Sequence, residues 1–434
     1  MTSREIHLTV PAPRCTFIPP WLAERVDGPE RAALDESLRT RRSVEARSAR
    51  RIVVSGGSPW TVHDADSTTS LPGTPVRSAG DPESGDVAVD EAATGIEATL
   101  AMFAEVLSRE SHDDAGAPVS LTVHYGSRYN NAFWDGTQLV FGDGDGRVFE
   151  RFTKPVDVLA HEFSHAVVEH TAGLVYQGQS GALNESVADV FASCLKQRLL
   201  GQEAADGDWL IGEGIFKPSI KARALRDMAA PGTAYDDPEL GADPQVGHMD
   251  DYIETTDDNG GVHLNSGIPN KAFQLAAVAI GGTAIEGAGR VWYDALVGDA
   301  VPEDADFATF AAATVAAAGQ QADAVREAWA QVGVEPTAGT SAPSRSSAPA
   351  GAQRLRVERS GGFIGRTETA EVDLDDDLRG LVADAALTAT TGGSERPMPD
   401  MYVYTFTVDG SDPIRVPEHR LTASQAELAR RTLP

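Results

Sequence analysis

Cysteine is nearly absent: the 434 residues contain two, Cys15 and Cys194. Two thiols exclude a disulfide framework and a cysteine-rich zinc finger, so a metal here needs histidine and carboxylate ligands. Long apolar runs are also missing. No stretch approaches the roughly 18 apolar residues that a membrane-crossing helix needs. The opening MTSREIHLTVPAPRC lacks the apolar core of an ordinary secretory signal. No membrane partner is therefore expected. The chain works in the cytoplasm or leaves it without an ordinary signal peptide, and action outside the cell stays open. Positive charge is outnumbered, with 36 Lys and Arg against 65 Asp and Glu, a net −29. Nucleic acid, which attracts clustered basic residues, is excluded as a partner.

What is there suits a globular protein of two or three domains, with 41% hydrophobic and 23% charged residues. Charge is uneven along it. Residues 1–51 hold ten Arg and seven acids, net +3; residues 352–434 hold ten Arg and fourteen acids, net −4; residues 52–351 hold the balance, −28. A weakly basic head thus precedes an acidic body that can attract it. The stretch 41–51, RRSVEARSARR, and the Ser/Ala/Pro/Gly run at 337–352 read as linkers, because neither can bury much apolar surface. Between them, residues 52–155 mix short β-rich stretches with Gly/Asp turns and one helix over 87–109. Residues 156–336 are dominated by Ala-rich helical patterns at 155–171, 181–200, 265–280, 286–297 and 305–331. Strands first and helices later predict an α+β unit of two lobes with a cleft between them.

The sharpest signal is His161-Glu162-Phe163-Ser164-His165. On a helix the two histidines lie one turn apart on one face, a spacing that can hold one zinc ion. Glu162 borders that face, near enough to reach a water at the metal without being a ligand. A third ligand is needed, and Glu185 supplies it. It follows His165 by 20 residues, room for a turn and a returning helix, with Asp189 one turn further along the same face. Asp189 then reads as the acceptor that orients a ligand imidazole. By themselves these acids are also what a helix N-terminus favours.

The run HEFSHAVVEHTAGLVYQGQSGALNESVADVF resembles the active-site stretch of the thermolysin family of zinc metallopeptidases. The resemblance extends over about residues 52–335. It includes Tyr129-Asn130-Asn131-Ala132-Phe133-Trp134-Asp135-Gly136, Gly142-Asp143-Gly144-Asp145-Gly146 and Asp258-Asn259-Gly260-Gly261-Val262-His263-Leu264-Asn265. It implies a two-lobed fold, β-rich then helical, with zinc in the cleft, and an endopeptidase that hydrolyses peptide bonds with a metal-activated water. It implies Glu162 as proton carrier, His263 and Tyr176 as donors to the developing oxyanion, and Asp258 as the carboxylate that orients His263. It implies Asn131, the Ala132 backbone, Trp134 and Arg226 as substrate-binding groups. Phe149, Phe152, Val158, Ile211, Ile215 and Leu225 correspond to an apolar pocket that selects bulky hydrophobic residues after the scissile bond. Asp157, Asp208 and Glu213 match ligands of a paired calcium site, but Lys196 and Leu210 stand where acids are expected. At most one weakly held calcium ion is then expected.

The head segment Cys15-Thr16-Phe17-Ile18-Pro19-Pro20-Trp21-Leu22 resembles the short propeptide of protealysin-like members. Pro-Pro is stiff and extended, suited to docking in a groove. That implies a precursor whose residues 1–51 occupy its own cleft. Residues 353–434 read as a small α+β domain, and Arg359-Ser360-Gly361-Gly362-Phe363 is similar to emfourin, a protein inhibitor of such enzymes. An inhibitory tail is one reading; a substrate- or surface-binding appendage is the other. For the whole chain, a self-processing binding module with little activity on other proteins stands as the alternative to a monomeric peptidase acting on peptides and proteins.

Overall fold

The computed structural model describes residues 16–28, 58–337, 354–361, 368–373, 402–408, 414–417 and 429, 431 and 432. Cys15, the Arg-rich stretch 41–51 and the linker after residue 337 lie outside the described residues. The chain forms two compact units, Met1–Ala342 and Pro343–Pro434.

In the larger unit a short helix, α1 (Pro20–Asp27), opens on the second proline of the Pro-Pro pair. A five-stranded sheet follows. It is built from β1 (Trp60–Asp64), β2 (Thr74–Ser78), β3 (Val119–Val123), β4 (Ala132–Trp134) and β5 (Gln138–Phe141) in the order β2-β1-β3-β5-β4. Inner strands run parallel and the two edge strands antiparallel. Helix α2 (Val87–Leu107) lies against this sheet. Asp86 caps it by accepting from the amides of Ala88 and Val89. Edge strand β4 borders the cleft.

The second lobe is helical. Helices α3 (Val156–Glu169) and α4 (Gly178–Leu200) form its centre and pack side by side. Both are buried on nearly all faces, so neither has the polar stripe of a surface helix. Twelve of the fourteen α3 residues are buried, His161, Glu162 and His165 among them. The lobe continues with α5 (Asp258–Asn265), α6 (Gly267–Ile280), α7 (Arg290–Val297), α8 (Phe307–Ala317) and α9 (Ala322–Ala330). The single helix expected over 305–331 is two helices. A 3-10 turn at Gly319–Gln321 breaks it where Gly319 takes φ +53, a left-handed conformation that glycine adopts cheaply. Helix α7 begins later than expected, after a π-type turn at Ile285–Gly289. The β-rich lobe followed by the helical lobe agrees with the sequence expectation.

The smaller unit carries a four-stranded antiparallel sheet, β6 (Arg354–Gly361), β7 (Glu368–Asp373), β8 (Tyr402–Val408) and β9 (Ile414–Pro417), in the order β7-β6-β8-β9. Val357 pairs with Phe406 and both are buried, so one face of this sheet has an apolar core.

Candidate metal centre and cleft

Helices α3 and α4 bring three ligand atoms together. His161, His165 and Glu185 each offer one, all within 4.8 Å of one another, and all three residues are buried. The orientation of each ring is set from behind. His161 Nδ1 lies 2.9 Å from Asp189 Oδ1, and His165 Nδ1 lies 2.8 Å from Asn184 Oδ1. Each Nδ1 faces a carbonyl-type oxygen, which fixes the proton there and leaves Nε2 as a lone pair. The two Nε2 atoms are 3.0 Å apart, with Glu185 oxygens 3.5 and 3.8 Å away. Two ring nitrogens and a carboxylate converging at that range need a cation among them, a proton on His161 or a metal ion held by all three. The donor set therefore fits a zinc ion, with two imidazoles, one carboxylate and a fourth position open to the cleft.

The electrostatics follow from burial and pairing. Burial disfavours charge on His161, yet the Asp189 and Glu185 carboxylates outweigh it and push its pKa up to about 9. Burial, reinforced by the neighbouring His161 cation, pulls His165 down to about 4. Asp189 is buried too, but Arg226 and His161 hold it at about 2. Burial also works against the Glu185 anion, but His263 and the two ligand rings hold it well below the carboxylate range. Glu162 lacks such compensation: burial pushes it up to about 7 despite His161.

Glu162 stands beside the ligands without joining them. Its Oε2 accepts the Trp134 backbone amide at 2.8 Å, while Oε1 is buried and takes no hydrogen bond among the described residues. The Trp134 indole N–H donates to Glu169 Oε2 at 2.9 Å, and its ring lies tilted against His112, 5.6 Å between centroids. Across the cleft, Asp258 holds His263 twice, through the backbone amide at 2.8 Å and Nδ1 at 2.6 Å. That grip needs a sharp reversal: Asp258, Asn259, Gly260 and Gly261 all take positive φ. A side chain at Gly261 would also meet Asn265 at 2.8 Å. The Tyr176 hydroxyl donates to Glu185 and lies 3.4 Å from His263 Nε2.

The cleft holds the chain's own head. The Thr16 carbonyl accepts from His263 Nε2 at 3.0 Å. The Phe17 amide donates to the Ala132 carbonyl at 3.1 Å, and its carbonyl accepts from Arg226 at 3.3 Å. The Ile18 amide donates to Asn131 Oδ1 at 2.8 Å, and its carbonyl accepts from Asn131 Nδ2 at 3.4 Å. The Phe17 ring is buried edge-on to His161, 5.3 Å between centroids, with the Arg226 guanidinium 4.9 Å from its centre. A side chain at Gly212 would meet that ring at 3.1 Å. Phe149, Phe152, Val158, Ile211, Ile215 and Leu225 belong to the same buried apolar cluster as Phe17. Further along, Asp27 accepts from Asn130, and Trp21 stands edge-on to His263.

The expected residues therefore converge. Sequence reasoning missed Asn184, which holds His165, and Asn270, which donates to Asp189 Oδ2 at 2.8 Å. It also missed that Arg226 grips Asp189 through two hydrogen bonds while reaching Phe17. No signal in the sequence marked either asparagine: each sits beside charged or polar neighbours, Glu185 and Ser186 or Lys271. The candidate calcium ligands surround a lysine. Lys196 Nζ donates to the Leu210 carbonyl at 2.6 Å and lies 2.8 Å from Asp208, 3.7 Å from Glu213 and 3.9 Å from Asp157.

Comparison with known proteins agrees with this geometry. Residues 50–169 match the family model described as thermolysin metallopeptidase, catalytic domain. Residues 172–334 match thermolysin metallopeptidase, alpha-helical domain. An extracellular metalloprotease of Pectobacterium carotovorum subsp. carotovorum is 46% identical over 337 residues, 74% of this chain and 97% of that one. Protease PrtS of Photorhabdus sp. (strain Az29) is 47% identical over 309 residues, 70% of this chain and 83% of that one. Among solved structures, the precursor of protealysin, a metalloproteinase from Serratia proteamaculans, matches with a TM-score of 0.67 and 48% identity, over 74% of this chain and 99% of that one.

Proposed function

The chain belongs to the thermolysin family of metallopeptidases, and from that premise we propose that it is a zinc endopeptidase made as a self-blocked precursor, cutting before bulky hydrophobic residues. The observation that carries this reading is the facing pair of Nε2 atoms, 3.0 Å apart beside Glu185, with Glu162 next to them. When bound, zinc supplies Lewis acidity, polarising a substrate carbonyl and acidifying water. The remaining roles fall to the chain. Glu162, pushed up to about 7, is poised to take a proton from water and return it to the leaving amine. His263, oriented by Asp258, donates to the carbonyl oxygen as charge develops there, and Tyr176 stands beside it as a second donor. Asn131, the Ala132 carbonyl and Arg226 hold the substrate backbone, as they hold residues 17 and 18. The buried seat of Phe17 supports the preference for a large apolar residue after the scissile bond.

The domain division we propose is a propeptide over 1–51, catalytic lobes over 52–155 and 156–336, a linker over 337–352 and a regulatory domain over 353–434. The name of the protealysin precursor and the contacts of residues 16–28 support the first. That Pro343–Pro434 forms a compact unit of its own supports a separate last domain, and its likeness to emfourin is what gives it a regulatory role in this proposal. The name of the Pectobacterium relative supports action outside the cell. The Lys196 ammonium takes the place of a calcium ion among Asp157, Asp208 and Glu213.

The test compares wild type with Glu162→Gln for bound zinc and for hydrolysis of a synthetic peptide with an internal phenylalanine. Equal zinc content with activity reduced about 10²–10⁴-fold in the variant is expected for loss of a general base. Full activity in Glu162→Gln, or in chelated wild type, would overturn the reading. Deleting residues 337–434 is expected to raise the rate. An unchanged rate, with no effect of the isolated domain added back, would remove it as an inhibitor.

A further inference from the structure

We infer that the peptide bond between Thr16 and Phe17 is presented to the chain's own catalytic groups for hydrolysis, so that residues 1–16 are cut from the head at that bond. The inference rests on the peptidase reading above. It goes beyond it by naming a bond well upstream of the Arg-rich junction at 41–51.

Among the described residues of the head, the carbonyls of Thr16, Phe17 and Ile18 lie in the cleft, and each has a different recipient. Ile18 gives its carbonyl to Asn131, and Phe17 gives its own to Arg226. Only the Thr16 carbonyl reaches His263, whose Nε2 lies 3.6 Å from the Glu185 carboxylate and 3.4 Å from the Tyr176 hydroxyl. One carbonyl of the segment is thus at the donor cluster beside the metal ligands, and it belongs to the bond preceding Phe17.

The nitrogen of that bond is fixed as well. Phe17 N–H donates to the Ala132 carbonyl, and two residues along the same strand the Trp134 N–H donates to Glu162. Residues i and i+2 of a strand present their polar groups to the same edge, about 6.8 Å apart. Strand β4 therefore sets the proton carrier and the amide nitrogen on one edge, at neighbouring positions. Glu162 keeps one oxygen, Oε1, buried with no hydrogen bond among the described residues.

Register is locked on both sides. The Phe17 ring fills the seat between His161 and Gly212, so sliding the chain by one residue would force Thr16 or Ile18 into it. Downstream, Pro19 and Pro20 have no N–H to satisfy, and α1 starts at once.

The step balances with water alone. A water oxygen adds to the Thr16 carbonyl carbon, and the bond from that carbon to the Phe17 nitrogen breaks. Glu162 carries one proton from the water to the departing nitrogen, and the second, left on the new carboxylic acid, follows to the amine. The products are a Thr16 carboxylate and a Phe17 ammonium. Residues 17–28 keep their hold on Asn131 and Arg226 and remain joined to the body, so the cut trims the head without clearing the cleft.

The experiment incubates full-length wild type, Glu162→Ala and Phe17→Asp chains with zinc. Intact mass and N-terminal sequencing follow the head, and a synthetic peptide with an internal phenylalanine reports external hydrolysis in parallel. Wild type is expected to release residues 1–16 and expose Phe17 at a rate independent of protein concentration. Glu162→Ala stays whole. Phe17→Asp, having lost the buried ring, cuts there roughly tenfold or more slowly, yet hydrolyses the external peptide. If Phe17→Asp cleaves the external peptide while the wild-type Thr16–Phe17 bond stays intact, or is cut only between molecules, this inference falls and the peptidase reading stands. If a chain freed of residues 1–51 also fails to cleave the external peptide, the peptidase reading itself falls.

Discussion

Replacing Lys196 with methionine removes one ammonium from a pocket of three acids. Asp157 is 1% exposed, Asp208 26% and Glu213 54%, so Asp157 bears most of the consequence. Burial raises Asp157 from 3.8 to about 6, and Lys196 is the main influence holding it down. Ionising that carboxyl in the fold at pH 7 costs about 3 kcal/mol, at 1.36 kcal/mol per pKa unit. The sign follows: an acid whose folded pKa is raised stabilises the fold while protonated, so its contribution is lost as pH rises from about 4 through 6. Without Lys196 the acid keeps its proton to higher pH, which limits the damage. The ammonium's bond to the Leu210 carbonyl is lost outright, at about 1.5–3 kcal/mol for a charged hydrogen bond. A net loss of about 2–4 kcal/mol is expected at pH 8, below the upper range for breaking a buried pair. It shrinks to about 1.5–3 kcal/mol at pH 5, where Asp157 is mostly protonated in both chains and the lost Leu210 bond is what remains. Urea unfolding of both chains in a Glu162→Ala background, with millimolar calcium or chelator, measures this. Calcium is expected to leave the parent unchanged, because the ammonium already occupies the centre. A calcium-dependent gain of several kcal/mol in the parent, or equal losses at both pH values, would refute the reasoning.

His124 carries a second pH dependence. Hydrogen bonding to Asp143 raises it to about 9 against the opposing effect of burial, with Asp86 helping. Its stabilisation is complete below pH 6.5 and fades as pH rises through 9. Discounted for partial exposure, the loss is roughly 1–2 kcal/mol, and it should vanish in His124→Asn, a residue that also tolerates the φ of +53 there. Trp134→Phe and Glu169→Ala are each expected to lower kcat roughly threefold to tenfold with little change in KM. Both release the indole anchor behind the amide that holds Glu162, so the double variant should be no worse than either single one. Glu169→Gln, which still offers an acceptor, should stay near wild type; a full loss there would assign the effect to charge instead.

The ligand set was legible because metal geometry and helix geometry coincide: His161 and His165 one turn apart, Glu185 and Asp189 one turn apart, a return between them. The two-lobed order was legible from the change in periodicity. Other features depend on distant partners. Asn184 and Asn270 look like ordinary polar residues until tertiary packing brings them to His165 and Asp189. Glu169 ends α3 as an unremarkable acid and gains meaning only because β4 lays Trp134 across it. The break between α8 and α9 falls in an Ala-rich run without proline, where helix propensity argued for continuation and Gly319 alone marked the turn.

Arg226 ties substrate holding to metal holding, and this can be separated experimentally. The guanidinium is 3% exposed and donates twice to Asp189, at 2.8 and 2.7 Å, while another nitrogen reaches the Phe17 carbonyl. Asp189 spends its remaining acceptor capacity on His161 and Asn270. A residue that only gripped substrate would raise KM when removed and leave the metal alone. Removing Arg226 does more: it strips a buried carboxylate of its counter-charge and loosens the oxygen that fixes the His161 tautomer. Arg226→Ala is therefore expected to weaken zinc about 10–100-fold as well as peptide binding, the range found when partners behind ligand histidines are lost. Asn131→Ala, which touches the bound segment but not Asp189, should weaken peptide binding alone. Zinc affinity by chelator competition, measured beside KM for both variants, distinguishes the two. Unchanged zinc affinity in Arg226→Ala would show that Asp189 orients His161 without its arginine, and the coupling would be wrong.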